Sequence, residues 1–182
     1  MELFNGRPED ETGREPKEIR VYDLLDRLKI NYQRTDHAEA NTMEACNEID
    51  AVLDVLICKN LFLCNRKKTR FYLLLMPGDK PFKTKELSGQ HGIQRLSFAS
   101  AEDMEKYLDI KPGAVSVMGL MNDTENAVQL LVDQDVLNGE YFGCHPCVST
   151  SSLKMTLRDV FDVFLPAVHH EPLYVELAGN ME

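Results

Sequence analysis

The chain has 182 residues, 43% of them hydrophobic, and a formal net charge of -10. That length fits one domain with a real core, and the acidic charge argues against nonspecific binding to DNA. The polar N-terminal stretch MELFNGRPEDETGREPKE does not resemble a signal peptide, and no segment approaches the roughly 20 apolar residues that cross a bilayer. We therefore expect a cytoplasmic globular protein without a membrane role, whose five cysteines stay reduced.

The first third of the chain predicts two helices around a short strand. Residues 1–16 are charged and contain two glycines and two prolines, so we expect a flexible N-terminal segment before a single domain over 17–182. In KEIRVYDLLDRLKI the apolar residues recur at helical spacing and predict the first helix. A strand near Tyr32 follows, and NTMEACNEID predicts a second helix that begins at Asn41 or Thr42.

The middle of the chain is predicted to contain a β-hairpin and two further helices. VLICKNLFLCN and TRFYLLLM are apolar runs separated by NRKK, which predicts two strands joined by a basic turn. KTKELSGQHG predicts a short helix that ends at Gly89 or Gly92, and RLSF predicts a strand. SAEDMEKYL predicts a helix whose N-cap is Ser100.

The last third is predicted to be mainly strands. AVSVMGLMND and AVQLLVD predict two of them, and EYFGCHP with CVSTSS predicts a strand pair or a strand and a loop. TLRDVFDVFL predicts a helix capped by Thr156, and PLYVEL predicts the final strand. Strands outnumber helices and are interspersed with them, so we predict a mixed α/β (α+β) domain with a mostly antiparallel sheet.

Two cysteines lie three positions apart in the segment Cys144-His145-Pro146-Cys147. A redox pair needs a helix directly after its first cysteine, but the β-branched VSTSS follows here. A zinc site needs a second ligand pair, which the other cysteines do not form. His37-Ala38-Glu39 is similar to part of a zinc-deaminase pattern, but Thr150 stands where its last cysteine belongs. We predict no metal and no cofactor, and cysteines that pack as small apolar side chains.

Positive charge is concentrated between Leu56 and Leu96. Nine basic residues face two acidic ones there, a local net charge of +7 on an acidic chain. The segment is either a solvated rim of the hairpin or a local anion-binding face.

Four stretches, in this order, resemble a known family: CKNLFL (58–63), RLSFASAEDMEKYLDIKPGAVSVMGLMND (95–123), GCHP (143–146) and HEPLYVEL (170–177). The chain is similar here to the YbaK/EbsC-type aminoacyl-tRNA deacylases, most closely to their freestanding ProX/PrdX branch, which is associated with prolyl-tRNA synthetase. The resemblance covers about residues 20–177 and implies a barrel-like, mostly antiparallel sheet flanked by helices.

The resemblance also implies the activity. Prolyl-tRNA synthetase excludes smaller amino acids poorly, and this family removes them by hydrolysing the wrong ester. For the ProX branch the implied substrate is Ala-tRNA(Pro), cleared by metal-independent attack of water. Two alternatives stay open: a deacylase for Cys-tRNA(Pro), and a regulatory module that binds aminoacyl-tRNA, an amino acid or the synthetase without catalysis.

The family motifs assign roles to residues of two stretches. The resemblance implies that Lys59 holds the 3′-terminal phosphate or ribose of the tRNA and that Asn60 orients the ester or a water. It implies that backbone amides from Gly143 to Pro146 stabilise the oxyanion, and that His145 lines or orders the pocket.

One pocket wall is implied by a third stretch, and its residues are Met118, Gly119, Leu120, Asn122 and Asp123. The chain departs from the family pattern at Cys58, where threonine is frequent, at Met118, where phenylalanine is frequent, and at Ser149, where asparagine is usual. We expect Ser149 to contact the substrate, and we expect these departures to affect which amino acid is cleared.

Overall fold

The structure, a computed structural model, describes residues 1–40 and 42–179. Its α-helices are α1 (Pro16–Arg27), α2 (Met43–Leu53), α3 (Ala101–Leu108) and α4 (Leu165–Ala167). Its strands are β1 (Phe4–Asn5), β2 (Gln33–Asp36), β3 (Lys59–Asn65), β4 (Phe71–Met76), β5 (Leu96–Phe98), β6 (Val128–Asp133), β7 (Tyr141–Cys144), β8 (Ser151–Thr156) and β9 (Leu173–Val175). In the part of the chain described, no helix is long and apolar enough to cross a membrane.

The first three helices begin where their local sequence predicts. Helix α1 begins with Pro16, which lacks an N–H that would in any case be unpaired at this position. The Thr42 hydroxyl accepts a hydrogen bond from the Ala45 N–H at the start of α2, and the Ser100 hydroxyl accepts one from the Asp103 N–H at the start of α3. These contacts confirm both N-caps. The alternative cap, Asn41, lies outside the described residues.

The strands form two sheets. The first has the order β1-β2-β8-β7 and is antiparallel throughout. The second has the order β5-β3-β4-β6-β9, in which β4, β6 and β9 run parallel. This confirms a mixed α/β fold with mostly antiparallel pairing. The barrel-like closure is not confirmed, because within the described residues neither sheet closes and a single bridge, between Ile57 and Gly143, joins them.

Strand β4 lies at the centre of the core. All six of its residues are buried, and they alternate between the faces of the second sheet. Leu73 and Leu75 join the larger apolar cluster, with residues from α1, α3 and the first sheet. Tyr72 and Leu74 join a smaller cluster on the opposite face. Because apolar residues cover both faces of the sheet at β4, all its side chains are apolar instead of alternating between apolar and polar.

The prediction of a strand for AVSVMGLMND is wrong. Residues Val117–Asn122 form a 3-10 helix, and the Ser116 hydroxyl accepts a hydrogen bond from the Met118 N–H at its start. Gly119 packs so closely on α3 and the chain after it that a Cβ would lie 2.6 Å from the Ile110 Cδ1. A short buried apolar run does not distinguish a strand from a helical turn by its periodicity, so only packing decides.

The helix predicted to end at Gly89 or Gly92 is divided into two 3-10 turns, Thr84–Leu87 and Gln90–Gly92, because Gly89 has a positive φ between them. The helix predicted after Thr156 forms, but its middle, Asp159–Phe164, is a π-helix.

The first 16 residues make more tertiary contacts than the sequence analysis expected. Strand β1 pairs with β2, and Arg14 lies 2.8 Å from Glu18 and 2.9 Å from Asp36. Asp36 lies 22 residues after Arg14 in the chain, so the charge composition of the N-terminal segment does not predict this ion pair. Motion of this segment in solution stays a prediction, as does the single domain over 17–182, whose last three residues lie outside the described part.

Candidate functional site

A cavity of about 510 Å³ lies between α2, the start of β3 and the loop that follows β7. Three residues that the sequence analysis selected line it: Lys59, His145 and Ser149. A larger cavity, about 840 Å³, lies elsewhere and contains none of the selected residues. The smaller cavity is therefore the candidate site.

Lys59 is the first residue of β3, and its ammonium donates a hydrogen bond to the Lys80 carbonyl at 2.6 Å. Lys80 is itself anchored, because its own ammonium lies 2.6 Å from Asp133, 2.8 Å from Asp135 and 2.8 Å from the Leu177 carbonyl. An ammonium has three donors, and one of those on Lys59 is used by this carbonyl. The anchored turn thus holds Lys59 at the cavity with donors left for a ligand.

His145 lies directly after β7 and presents one nitrogen to the protein. Its Nδ1 is 2.8 Å from the Ser151 carbonyl oxygen, which can only accept, so the hydrogen bond assigns the proton to Nδ1. Burial lowers the pKa of His145, which favours the neutral ring. The neutral Nδ1–H tautomer leaves Nε2 as a hydrogen-bond acceptor.

Two glycines bring the separate parts of the site together at Ile57. A Cβ on Gly143 would lie 3.0 Å from the Ile57 Cγ1, and a Cβ on Gly78 would collide with the Ile57 carbonyl. The Cys58 N–H donates to the Gly143 carbonyl at 3.3 Å. Gly143 therefore positions the chain just before Lys59. Its own amide role in oxyanion stabilisation stays a prediction.

Asn60 and Pro146 are not among the residues that line the cavity. The Asn60 side chain donates to the Cys58 carbonyl at 3.0 Å, and its Oδ1 is buried without a partner among the described residues. Pro146 is buried next to His145. Direct contact of Asn60 or Pro146 with a substrate stays a prediction.

Three carboxylates line the cavity, and no role at this site was predicted for any of them. Glu39, Asp50 and Asp79 all line it. Glu39 accepts a hydrogen bond from the Ser149 hydroxyl at 3.1 Å. Asp50 accepts one from the Ile57 N–H at 3.3 Å, and burial raises its pKa. No motif spacing links these residues, so they could be found only from the fold.

The stretch expected to form a pocket wall lies elsewhere. Met118, Gly119 and Leu120 are fully buried, and Met118 and Leu120 belong to the larger core cluster. The Asn122 amide donates to the Leu108 carbonyl at 2.8 Å. None of these residues lines the candidate cavity, so a direct binding role for them stays a prediction.

Asp123, the last residue expected in this wall, supports the turn before β6. Its carboxylate accepts hydrogen bonds from the Ala127 N–H at 3.0 Å and the Val128 N–H at 2.8 Å. The His170 Nε2 lies 2.9 Å from it. These are the contacts of a structural carboxylate, and they do not involve the cavity.

Cys144 and Cys147 are core residues, 0% and 1% exposed, which confirms that they pack as apolar side chains. Burial raises the pKa of the Cys144 thiol to about 12 and also raises the pKa of Cys147. Neither thiol is a ready nucleophile. Within residues 1–40 and 42–179, no three His, Cys, Asp or Glu side chains are grouped as metal ligands.

Known proteins resemble most of this chain. The aminoacyl-tRNA editing domain family matches residues 37–163, which include Lys59 and His145. The prolyl-tRNA editing protein ProX of Acetoanaerobium sticklandii is 33% identical over 75% of this chain and 83% of its own length. The prolyl-tRNA synthetase associated domain-containing protein 1 of Danio rerio is 29% identical over 83% of this chain and 82% of its own length.

The fold is also found among solved structures. A crystal structure described as that of a proposed trans-editing enzyme for prolyl tRNA synthetase superposes with a TM-score of 0.67 and 15% identity, and covers 90% of this chain and 99% of its own. At that identity the match concerns the fold alone.

Proposed function

The chain belongs to the aminoacyl-tRNA editing domain family, and on that premise we propose that it is a deacylase that hydrolyses the ester of Ala-tRNA(Pro). One observation carries the proposal: the cavity brings a half-buried ammonium, Lys59, together with a neutral imidazole, His145. These are the two kinds of group that an aminoacyl ester at a tRNA 3′ end requires, a cation for the phosphate or ribose and an acceptor near the reacting water.

Lys59 anchors the 3′-terminal nucleotide in this proposal. A compact ammonium with donors to spare suits a phosphate or a ribose hydroxyl. Because the Lys80 carbonyl holds the ammonium in place, binding costs little further ordering of the side chain.

His145 orders the attacking water. Its Nε2 accepts a hydrogen bond from the water or from the 2′-hydroxyl of the terminal ribose. The water oxygen attacks the ester carbon, the bond from that carbon to the ribose oxygen breaks, and the proton from the water passes to the departing ribose oxygen. The ester is already activated, so positioning and oxyanion stabilisation provide most of the catalysis.

The loop after β7 offers amides for the oxyanion. Pro146 has no N–H, so the proposed donors in this stretch are the amides of Gly143 and His145, and His145 lines the cavity. Cys147 has a positive φ of 66°, which marks the sharp change of chain direction at this point.

The basic segment is proposed to meet the acceptor stem of the tRNA. Lys80 is committed to internal ion pairs. Exposed basic side chains remain at the hairpin tip and near β5: Arg66, Lys67, Lys68, Arg70, Lys85 and Arg95. Phosphate contacts from such residues position a nucleic acid without reading its sequence.

Prolyl-tRNA synthetase is a further proposed partner, and the cytoplasm, where aminoacyl-tRNA is used, is the proposed location.

We expect the purified protein to hydrolyse Ala-tRNA(Pro) at least about tenfold faster than Pro-tRNA(Pro), because a pocket for the smaller side chain excludes the larger one. The measurement follows loss of radiolabelled amino acid from Ala-tRNA(Pro), Cys-tRNA(Pro) and Pro-tRNA(Pro) in parallel. Faster hydrolysis of Cys-tRNA(Pro) than of Ala-tRNA(Pro) would show that the cysteinyl ester, and not the alanyl ester, is the substrate. Tight binding of the tRNAs with hydrolysis of none would establish a non-catalytic binding module instead.

We expect the double variant Cys144→Ala with Cys147→Ala to keep the deacylation rate of the wild type within about threefold. The two buried thiols contribute packing, so the free energy of unfolding should fall by about 1–2 kcal/mol while the chemistry remains. Rates are measured before and after dialysis against EDTA. Loss of activity in the double variant would show that the cysteines take part in the reaction. Inhibition of the wild type by EDTA would contradict the metal-independent mechanism.

A further inference from the structure

A second histidine lies beside His145 and is connected to it through one hydroxyl. The rings of His37 and His145 have centroids 6.2 Å apart. The Ser152 Oγ lies 2.8 Å from the His37 Nε2 and 3.3 Å from the His145 Nδ1. Ser152 is fully buried in β8, so this small network lies behind the cavity rather than in it.

The backbone determines how protons are arranged along this network. The His37 Nδ1 lies 2.8 Å from the Ala38 carbonyl, and the His145 Nδ1 lies 2.8 Å from the Ser151 carbonyl. A carbonyl can only accept, so both Nδ1 atoms carry protons. The His37 Nε2 must then accept, and the Ser152 hydroxyl must donate to it. The Ser152 oxygen is left to accept from His145.

We propose that His37 and Ser152 are positioning residues that hold His145 as the Nδ1–H tautomer, with its Nε2 free for the water or ribose hydroxyl. Without His37, the Ser152 hydroxyl can rotate and donate its proton to the His145 Nδ1, in competition with the Ser151 carbonyl, which is then the only group that still favours a proton on Nδ1. That arrangement favours the opposite tautomer, in which Nε2 carries the proton and no longer accepts. His37 prevents this by engaging the Ser152 proton.

The register of the first sheet makes the network rigid. Asp36 pairs with Ser151 across β2 and β8, and the next residue, His37, donates its backbone N–H to the Thr150 carbonyl at 2.9 Å. The backbone of His37 and Ser152 is therefore held by sheet hydrogen bonds that do not depend on either side chain. Substitution of these side chains should leave the fold intact.

The inference rests on the proposed deacylase function for its kinetic test. We expect His37→Ala to lower kcat about 10- to 100-fold with little change in KM, as loss of an orienting partner does elsewhere. The matched variant His37→Gln places an amide oxygen where Nε2 lies and cannot change its tautomer, so it should stay within about threefold of the wild type. Equal loss in both variants would overturn the proposal.

Ser152→Ala provides the second half of the kinetic test. The substitution removes the Ser152 hydroxyl proton, which could otherwise be donated to the His145 Nδ1, and it removes the more distant of the two acceptors of the Nδ1 proton. The Ser151 carbonyl remains as an acceptor, so kcat should fall by less than about tenfold. The double variant His37→Ala with Ser152→Ala should match Ser152→Ala alone, because without the hydroxyl the loss of His37 has no further effect. If the loss of kcat in the double variant equals the product of the losses in the two single variants, His37 and Ser152 act independently and the proposal is overturned.

A spectroscopic measurement tests the inference without any substrate. Ring-nitrogen ¹⁵N chemical shifts of His145 should show the Nδ1–H tautomer in the wild type and in His37→Gln, and a mixture in His37→Ala. An Nε2–H tautomer in the wild type would overturn the proposal even if the protein were an active deacylase. If no tRNA were hydrolysed, the proposed function would fail while the tautomer measurement still decided the role of His37.

Discussion

Lys59→Met is expected to reduce kcat/KM for hydrolysis of Ala-tRNA(Pro) by about 10- to 100-fold. The substitution keeps the apolar stem and removes the ammonium, and hydrogen bonds from a charged group contribute about 1.5–3 kcal/mol. Lys59→Arg should recover only part of the loss, because the guanidinium is larger and the Lys80 carbonyl at 2.6 Å leaves it little room. The rates are measured under single-turnover conditions with excess enzyme.

Lys83→Met is the matched control for Lys59→Met. Lys83 lies in the same basic segment but does not line the cavity. Its substitution should change the affinity for tRNA slightly and leave the rate at saturation unchanged. Full activity of Lys59→Met, with the control also active, would refute the assignment of Lys59 as the anchor of the tRNA 3′ end.

Asp123→Ala is expected to lower the free energy of unfolding by about 2–4 kcal/mol, because it leaves the Ala127 and Val128 N–H groups without their acceptor. The carboxylate is 4% exposed, accepts two backbone N–H groups and lies 2.9 Å from His170. Urea denaturation measures the loss. Asn122→Ala is the control, since it removes only one hydrogen bond, to the Leu108 carbonyl, and should cost about 1 kcal/mol.

The same Asp123 variant distinguishes a structural role from the substrate-binding role that the family resemblance implies. If the carboxylate is structural, folded Asp123→Ala should hydrolyse the ester at the wild-type rate per folded molecule. A variant as stable as the wild type but unable to bind the aminoacyl-tRNA would show that the stretch around Asp123 contacts the substrate after all.

Much of the secondary structure could be predicted because short-range contacts determine it. Thr42 and Ser100 each cap a helix with a hydroxyl that bonds three residues ahead, so both starts can be predicted from a few letters. The hairpin of β3 and β4 follows from two apolar runs with a polar turn between them. The 3-10 helix at Val117–Asn122 could not be predicted, because its conformation is decided by the close packing of Gly119.

The candidate site could be predicted only in part. Lys59, His145 and Ser149 line the cavity, and the first two lie in stretches that carry the family resemblance. Their roles toward a substrate stay predictions. Asp50 and Asp79 were not predicted, because carboxylates are common on any acidic surface, and Glu39 was considered only within a zinc-deaminase-like pattern. His37 was considered only as a zinc ligand, since its partner Ser152 lies 115 residues away in the chain.

The sequence by itself determined the family, the mixed α/β class, the starts of the main helices and three of the residues that line the cavity. Only the tertiary structure decided that the strands form two sheets, which a bridge between Ile57 and Gly143 joins. It also decided that residues 118–123 support the core and that His37 lies behind His145. The physical reason is range: capping and periodicity act over a few residues, whereas the site depends on strand pairing and close glycine packing between segments far apart in the chain.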